Sequence, residues 1–213
     1  MYIIGINAYH ADSSACIIKD GKLVTAVEEE RFTRIKHFAG FPKLSIQHCL
    51  DECEISLSDV NYIAINQDPK ANNFKRLIFL LTHRPSLKLI IDKISKRKKY
   101  HSIKDTLNQE FKNDNFNGEV VNIEHHLAHL SSCFHVSPFK EACVVSVDGF
   151  GDFASSAWGY GKNNDIKIDK KIHFPHSLGI FYQSITQYLG FKNYGDEYKI
   201  MGLAPYGKPE YLD

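Results

Sequence analysis

The sequence of this chain lacks several features that mark specialised classes of protein. Its longest uninterrupted apolar run, LIFLL at residues 77–81, is far shorter than the roughly 20 residues that a membrane-spanning helix needs. The N-terminal stretch MYIIGINAYHADSS has neither a positively charged segment nor a long apolar one, so no signal peptide is expected. We therefore expect a cytoplasmic location and no membrane partner.

An excess of charge of one sign is also missing. Lys and Arg number 26 and Asp and Glu number 25, which gives a formal net charge of +1. This balance is unlike that of a strongly basic nucleic-acid-binding protein, so we expect no nucleic-acid partner. The five cysteines are odd in number and include no CxxC pair, which predicts free thiols instead of disulfides or a zinc ribbon.

What is present is an alternation of strand and helix patterns that is typical of an α/β protein. Apolar runs at 2–7, 15–19 and 22–28 predict three strands, and Asp20-Gly21 predicts a tight hairpin turn between the last two. A helical stripe follows at 41–53 and a further strand at 60–66. Residues 69–115 are rich in Lys, Arg, Leu and Ile, and we interpret them as a helical insert. Its basic cluster at 93–99 is interpreted as a solvated helix face, with a membrane surface or nucleic acid as the alternative partner.

The second half of the chain continues this alternation. Strands are predicted at 119–123, 141–147, 154–161 and 165–173, with helices at 124–136 and 177–189. Gly5-Ile6-Asn7 and Val147-Asp148-Gly149 each end a strand that leads into a hairpin, which indicates a duplicated lobe. We expect a first lobe at 1–140, with its insert at about 69–115, and the beginning of a second lobe at 141–213.

The segment HHLAH at 125–129 is the densest candidate for chemistry. His125 and His129 are four residues apart, so on a helix they share one face and can hold one metal ion. Asp148, at the end of an apolar strand, is the best candidate for a third ligand. Such a set suits non-haem Fe(II) or zinc, although hydrogen-bonded core histidines would show the same spacing. The glutamate base of the HExxH metalloproteases is absent, because position 126 is His126.

Three other segments have the composition of ligand-binding loops. Gly149 and Gly151, in DGFGD, permit close approach of backbone N–H groups to phosphate oxygens, although an ordinary turn has the same composition. His10 follows the first strand among small polar residues and could serve as an acid or base, or lie in a surface loop. Lys36 and Arg34, in EEERFTRIKH, could stabilise negative charge on a ligand or form salt bridges at a solvated edge.

Taken together, several motifs in this order resemble one protein family. They are GINAYHADSSACII, VEEERFTRIKH, IEHHLAHLSSCFHVSPF, VVSVDGFGD and SLGIFYQSITQYLGFKNYGDEYKIMGLAPYG. The chain resembles the N-terminal part of the carbamoyltransferases of nodulation-factor and antibiotic biosynthesis, over nearly its whole length except 69–115. That family is related to the tRNA threonylcarbamoyladenosine synthase and to proteins of the actin-like ATPase (ribonuclease H-like) fold.

The resemblance implies an activity and a set of site residues. It implies transfer of a carbamoyl group from carbamoyl-adenylate, made from carbamoyl phosphate and ATP, to a hydroxyl of a sugar or natural-product acceptor. His125, His129 and Asp148 fall on the family's metal ligands, with Fe(II), or alternatively zinc, as the metal and Mg²⁺ as a further candidate. His10 and Lys36 fall on its active-site residues near the carbamoyl group. The residues implied near the nucleotide are Gly149, Gly151, Lys199 and Gly202.

The remaining parts of the family's pattern give a further expectation. Most of the second lobe, a fourth metal ligand and the adenylate-forming domain have no counterpart in the 213 residues. We expect that the chain alone does not complete carbamoyl transfer and that it depends on an adenylate-forming domain in cis or in trans. The alternatives are a non-catalytic metal- and nucleotide-binding module that needs a partner chain and, less favoured, a metal-dependent hydrolase.

Overall fold

The computed structural model describes residues 1–83, 102–112 and 114–210. The described chain is a mixed α/β structure, which confirms the class that the alternating strand and helix patterns predict. It divides into two compact units, residues 1–128 and 129–213, and each unit contains its own sheet. No helix in the described ranges is both long and apolar enough to cross a bilayer.

The first unit is built on a five-stranded sheet with the strand order β3-β2-β1-β4-β5. The first three strands pair antiparallel, whereas β4 and β5 run parallel to β1. Asp20 and Gly21 have φ angles of 51° and 80°, as a two-residue hairpin turn requires, which confirms the turn predicted there. The strands are β1 (Tyr2–Asn7), β2 (Ser14–Lys19), β3 (Lys22–Glu28), β4 (Tyr62–Ile65) and β5 (Glu119–Asn122).

The helices of this unit connect the strands and cover its core. Ile4, Ile17 and Ile63 are fully buried in the sheet, and Ile46 and Leu50 of the second helix pack into the same cluster. The predicted insert does contain helices, but residues 84–101, which include the basic cluster from 93 to 99, lie outside the described residues. The helices are α1 (Glu30–Thr33), α2 (Lys43–Cys53), α3 (Asn73–His83) and α4 (Ile103–Glu110).

A buried carboxylate holds the beginning of α2. Pro42 precedes that helix and supplies no side-chain cap, so the first backbone N–H groups need an acceptor from elsewhere. Glu29 supplies it: its carboxylate accepts hydrogen bonds from the N–H of Leu44 at 3.0 Å and from the N–H and Oγ of Ser45 at 2.8 and 2.7 Å. Negative charge at a helix N-terminus is also favoured by the helix dipole.

The second unit is built on an antiparallel sheet of three strands, β6, β7 and β8, in that order. Leu130 and Phe134 of helix α5 pack against Val144 and Ala157 on one face of this sheet. Most of α5 therefore belongs to the second unit. The division falls after residue 128, within that helix, whereas the sequence predicts a boundary near residue 140. The elements are α5 (His125–Phe134), β6 (Glu141–Gly151), β7 (Ala154–Lys162), β8 (Asp165–His173), α6 (Leu178–Tyr188) and α7 (Glu197–Leu203).

Strand β6 is longer than the sequence predicts. It continues through the glycine-rich segment to Gly151, with an irregular register against β7 between Val147 and Gly151. The hairpin turn lies instead at Asp152 and Phe153, whose φ angles are 47° and 70°. Gly149 and Gly151 are thus strand residues, and the segment that contains Asp148 is a distorted strand end.

Candidate metal centre

The first two turns of α5 carry the pair of histidines. Glu124, immediately before the helix, caps it: its Oε2 accepts a hydrogen bond from the N–H of Leu127 at 2.9 Å, and its carbonyl accepts one from Ala128 at 2.9 Å. This fixes where the helix begins, so that His125 and His129 are one helical turn apart on the same face, as predicted.

The alternation of side chains along β6 places the carboxylate of Asp148 on the face toward α5. Val144 and Ser146 are buried, and Val144 packs against core residues of α5, so this face of the strand looks toward the helix. Because side chains alternate with a period of two, Asp148 lies on the same face. Its Oδ2 is 3.4 Å from Nε2 of His129, while its Oδ1 accepts a hydrogen bond from the N–H of Gly149 at 2.6 Å.

The three predicted ligands form one group. One ligand atom from each of His125, His129 and Asp148 lies within 4.8 Å of the other two, and this is the one such group of three in the part of the chain that the structure describes. A metal ion lies about 2.1 Å from each N or O ligand atom, so two ligand atoms of one ion are at most about 4.2 Å apart. Small rotations of the side chains would bring the three ligand atoms within this distance. Two imidazoles and one carboxylate are a donor set that fits Fe(II) or zinc.

The N-terminus of α6 holds the backbone of this strand end. Ser177, the N-cap residue, donates its hydroxyl to the carbonyls of Asp148 and Gly149, at 3.1 and 2.8 Å, and accepts a hydrogen bond from the N–H of Ile180 at 3.0 Å. A Cβ atom on Gly179 would lie 2.6 Å from the carbonyl oxygen of Asp148. Glycine at 179 therefore permits the close approach on which the position of Asp148 depends.

The residue between the two ligands argues against a hydrolase. His126 occupies the position of the general base in HExxH proteases, but its side chain is fully buried, so it does not meet solvent. Its ring makes an edge contact with that of His125, with 5.4 Å between the ring centroids. We assign it to packing beneath the ligand pair.

The loop after β1 brings His10 to His125. The centroid of the His10 ring is 6.5 Å from that of the His125 ring, so the structure places a predicted catalytic residue beside a predicted ligand. The loop is shaped by Asn7, whose Nδ2 donates to the carbonyls of Ala11 and Asp12 at 3.1 and 3.0 Å.

The loop that carries Lys36 is hydrogen-bonded to the loop that carries His10. Nδ1 of His37 lies 2.9 Å from Oδ1 of Asp12, and the N–H of Ser13 donates to the carbonyl of Phe38 at 2.9 Å. Asp12 and His37 therefore hold the two predicted catalytic segments together. Sequence reasoning passed over this pair, since nothing in the separate motifs HADSS and RIKH indicates that they meet.

The residues predicted in the EYKIMG segment lie on α7. Nζ of Lys199 is 2.6 Å from Oδ1 of Asp196, and this hydrogen bond lowers the pKa of Asp196 and raises that of Lys199. A Cβ atom on Gly202 would meet nothing within 4 Å, so packing does not require glycine there. Asp196, a buried partner that the sequence did not single out, is the residue that orients Lys199.

Comparisons with known proteins identify the family of the chain. The family model described as "Carbamoyltransferase N-terminus" matches residues 2–213. The nodulation protein NolNO of Sinorhizobium fredii is 35% identical over 208 residues, which are 95% of this chain and 29% of that protein. The uncharacterized protein sll1178 of Synechocystis is 42% identical over 221 residues, which are 100% of this chain and 36% of that protein.

Comparison with solved structures adds distant likenesses. YeaZ from Pseudomonas aeruginosa superposes with a TM-score of 0.42 and 12% identity, covering 82% of this chain and 68% of that one, which by itself establishes no common fold. The chain spans about a third of the length of the curated relatives that it matches. By the match of the family model over nearly all of its residues and by these relatives, the chain belongs to the carbamoyltransferase family, as a carbamoyltransferase N-terminal region.

Proposed function

We propose that this chain is the N-terminal portion of an O-carbamoyltransferase of the cytoplasm, with an actin-like ATPase fold. The reaction is transfer of a carbamoyl group from carbamoyl-adenylate, made from carbamoyl phosphate and ATP, to a hydroxyl of a sugar or natural-product acceptor. The observation that carries the proposal is the grouping of His125, His129 and Asp148, with the His10 ring beside that of His125. Family membership supplies the class of reaction.

His125, His129 and Asp148 would hold an Fe(II) or zinc ion. When bound, such an ion supplies Lewis-acid stabilisation of negative charge on the phosphate and carbonyl oxygens of the donor. The first two turns of α5 present the two imidazoles, and the hydrogen bond from the N–H of Gly149 orients the carboxylate of Asp148. Mg²⁺ is a further candidate, as a partner of the nucleotide phosphates.

The chain's own residues have separate tasks in this proposal. His10 hydrogen-bonds the carbamoyl group or accepts the proton that the acceptor hydroxyl releases. Lys36 neutralises the charge that develops on the departing phosphate. The N–H of Gly149 is donated to Asp148, and the other backbone N–H groups of the segment from Gly149 to Gly151 bind phosphate oxygens. Lys199 and Gly202 on α7 contribute to the nucleotide site.

A second requirement lies in a further domain. The donor, carbamoyl-adenylate, has to be made by an adenylate-forming domain, which we propose acts in cis or in trans with the region described. This agrees with curated relatives about three times as long as the chain. The isolated chain is therefore expected to bind metal and nucleotide without releasing carbamoylated product.

Metal analysis tests the ligand assignment. We expect the purified chain to contain about one Fe or Zn per molecule, and the variant His125→Ala/His129→Ala to contain essentially none. His135→Ala is the matched control, because it removes an exposed histidine just after α5, and it should retain the metal. Stoichiometric metal in the double variant would overturn the assignment, provided that its circular dichroism spectrum shows it to be folded.

A further inference from the structure

Helix α3 exposes an apolar stripe. Phe74, Leu77, Ile78 and Leu81 follow the spacing i, i+3, i+4, i+7, which places them along one side of a helix. In a helix that packs on its own protein this side is buried, but here the four residues are 72, 53, 39 and 68% exposed. No residue of α3 is buried.

The other side of α3 is basic. Lys75 and Arg76 lie away from the stripe, at about 100° of rotation per residue, and Arg76 donates a hydrogen bond to the carbonyl of Pro69 at 3.2 Å. The ring of Phe79 lies outside the stripe and stacks on that of His83, with 4.4 Å between the centroids. The helix thus separates an exposed apolar stripe from a cationic side.

Charge is unevenly distributed along the chain around this helix. Residues 69–104 contain eleven of the 26 Lys and Arg residues but only one of the 25 Asp and Glu residues. This stretch has a formal charge of +10, and the rest of the chain has −9. The overall charge of +1 therefore conceals a strongly basic stretch that includes α3.

We propose that α3 binds the surface of a membrane that contains anionic lipid, with its stripe among the acyl chains and its Lys and Arg residues among the headgroups. An apolar stripe beside clustered basic residues is the pattern of helices that lie in a membrane interface. Nucleic acid would pair with the positive charges but would leave the side chains of Leu77 and Leu81 exposed to water. This revises the expectation of a solvated helix face and no membrane partner, and it goes beyond the proposed reaction.

Sedimentation with lipid vesicles tests the proposal. The chain should bind phosphatidylcholine vesicles that contain phosphatidylglycerol, should bind pure phosphatidylcholine far less, and should dissociate as salt rises to about 1 M. Leu77→Ser/Leu81→Ser should lower the partition coefficient at least about tenfold, because it removes two side chains of the stripe. Leu23→Ser/Val24→Ser removes two exposed apolar side chains from β3 and is the matched control, with unchanged binding expected.

Several outcomes would overturn this proposal. They are wild-type chain that stays in the supernatant, equal binding to both kinds of vesicle, and unchanged binding of the stripe variant. A stripe variant that converts a dimer to a monomer in light scattering, with no vesicle binding by wild type, would assign the stripe to a second copy of the chain. Single-stranded oligonucleotide binding without vesicle binding would assign the basic stretch to nucleic acid. Thermal unfolding of each variant shows that it is folded.

Discussion

The close contact between Gly179 and the backbone of β6 leads to a quantitative prediction. In Gly179→Ala the added methyl group would lie 2.6 Å from the carbonyl oxygen of Asp148 and 2.8 Å from the nitrogen of Gly149. An ordinary carbon–oxygen contact is at about 3.4 Å or more, so the start of α6 must move by roughly 0.8 Å. Both neighbouring atoms belong to backbone, which cannot rotate away as a side chain can.

The movement breaks two hydrogen bonds and adds strain. The hydroxyl of Ser177 is 2.8 and 3.1 Å from its two carbonyl acceptors, and a shift of this size takes both beyond hydrogen-bonding distance. Each lost bond costs about 1 kcal/mol, and overpacking costs about 1–3 kcal/mol. Alanine returns up to about 1 kcal/mol of helix propensity. The second unit should therefore lose about 2–4 kcal/mol of unfolding free energy.

Urea unfolding followed by tryptophan fluorescence measures this loss. Trp158 is the single tryptophan of the chain and lies on β7, so its emission reports on the second unit. With a typical m value of about 1–3 kcal/mol per M, the midpoint should fall by about 1–2 M. Gly202→Ala is the matched control, because nothing lies within 4 Å of its added methyl group, and it should be neutral or stabilising. Equal midpoints for the two variants would refute the reasoning.

Two further predictions concern the first unit and the thiols. Glu29→Gln should destabilise the first unit by about 2 kcal/mol in thermal unfolding. The reason is that an amide NH2 group replaces one of the carboxylate oxygens, and it cannot accept the hydrogen bonds that the N–H and hydroxyl groups donate to Glu29. At pH 8, Ellman's reagent should modify the exposed Cys133 and Cys143 quickly and the buried Cys49 only on unfolding, since burial raises the pKa of Cys49 to about 12. The neutral thiol of Cys49 is favoured in the folded state, so its contribution is complete below pH 9, the ordinary value, and is lost as pH rises toward 12.

Each of these has its own control. Glu52→Gln replaces an exposed acid on α2, the helix whose beginning Glu29 holds, and should leave the melting temperature unchanged. An equal loss in both variants would contradict the role of Glu29. Cys49→Ala should remove part of the decline in stability between pH 9 and 12. Rapid modification of all five thiols in the native chain would show that Cys49 is accessible.

Features that depend on nearby residues could be predicted from the sequence. The turn at Asp20-Gly21 and the shared face of His125 and His129 follow from backbone geometry over a few residues, and the structure has both. The alternating strand and helix patterns gave the α/β class for the same reason. Segments this local carry conformational preferences of their own.

Features that depend on partners distant in the sequence were harder to predict. DGFGD is typical of a turn, yet β7 pairs with β6 as far as Gly151, and cross-strand pairing outweighs the preference of the glycines. Asp12 and His37 are 25 residues apart and meet only when two loops fold together. The periodicity of α3 shows an apolar side, but whether that side is covered depends on the rest of the structure.

The three oxygen atoms of Asp148 contact three different partners. Its carbonyl oxygen accepts a hydrogen bond from the hydroxyl of Ser177, and one carboxylate oxygen accepts a hydrogen bond from the N–H of Gly149. The other carboxylate oxygen faces His129. Only the last of these atoms faces another predicted ligand, and the main-chain carbonyl is present whatever the side chain. A neutral isostere such as Asn can therefore preserve the anchorage of α6 while it alters the charge offered to a ligand, which makes architecture and reactivity separable at a single position.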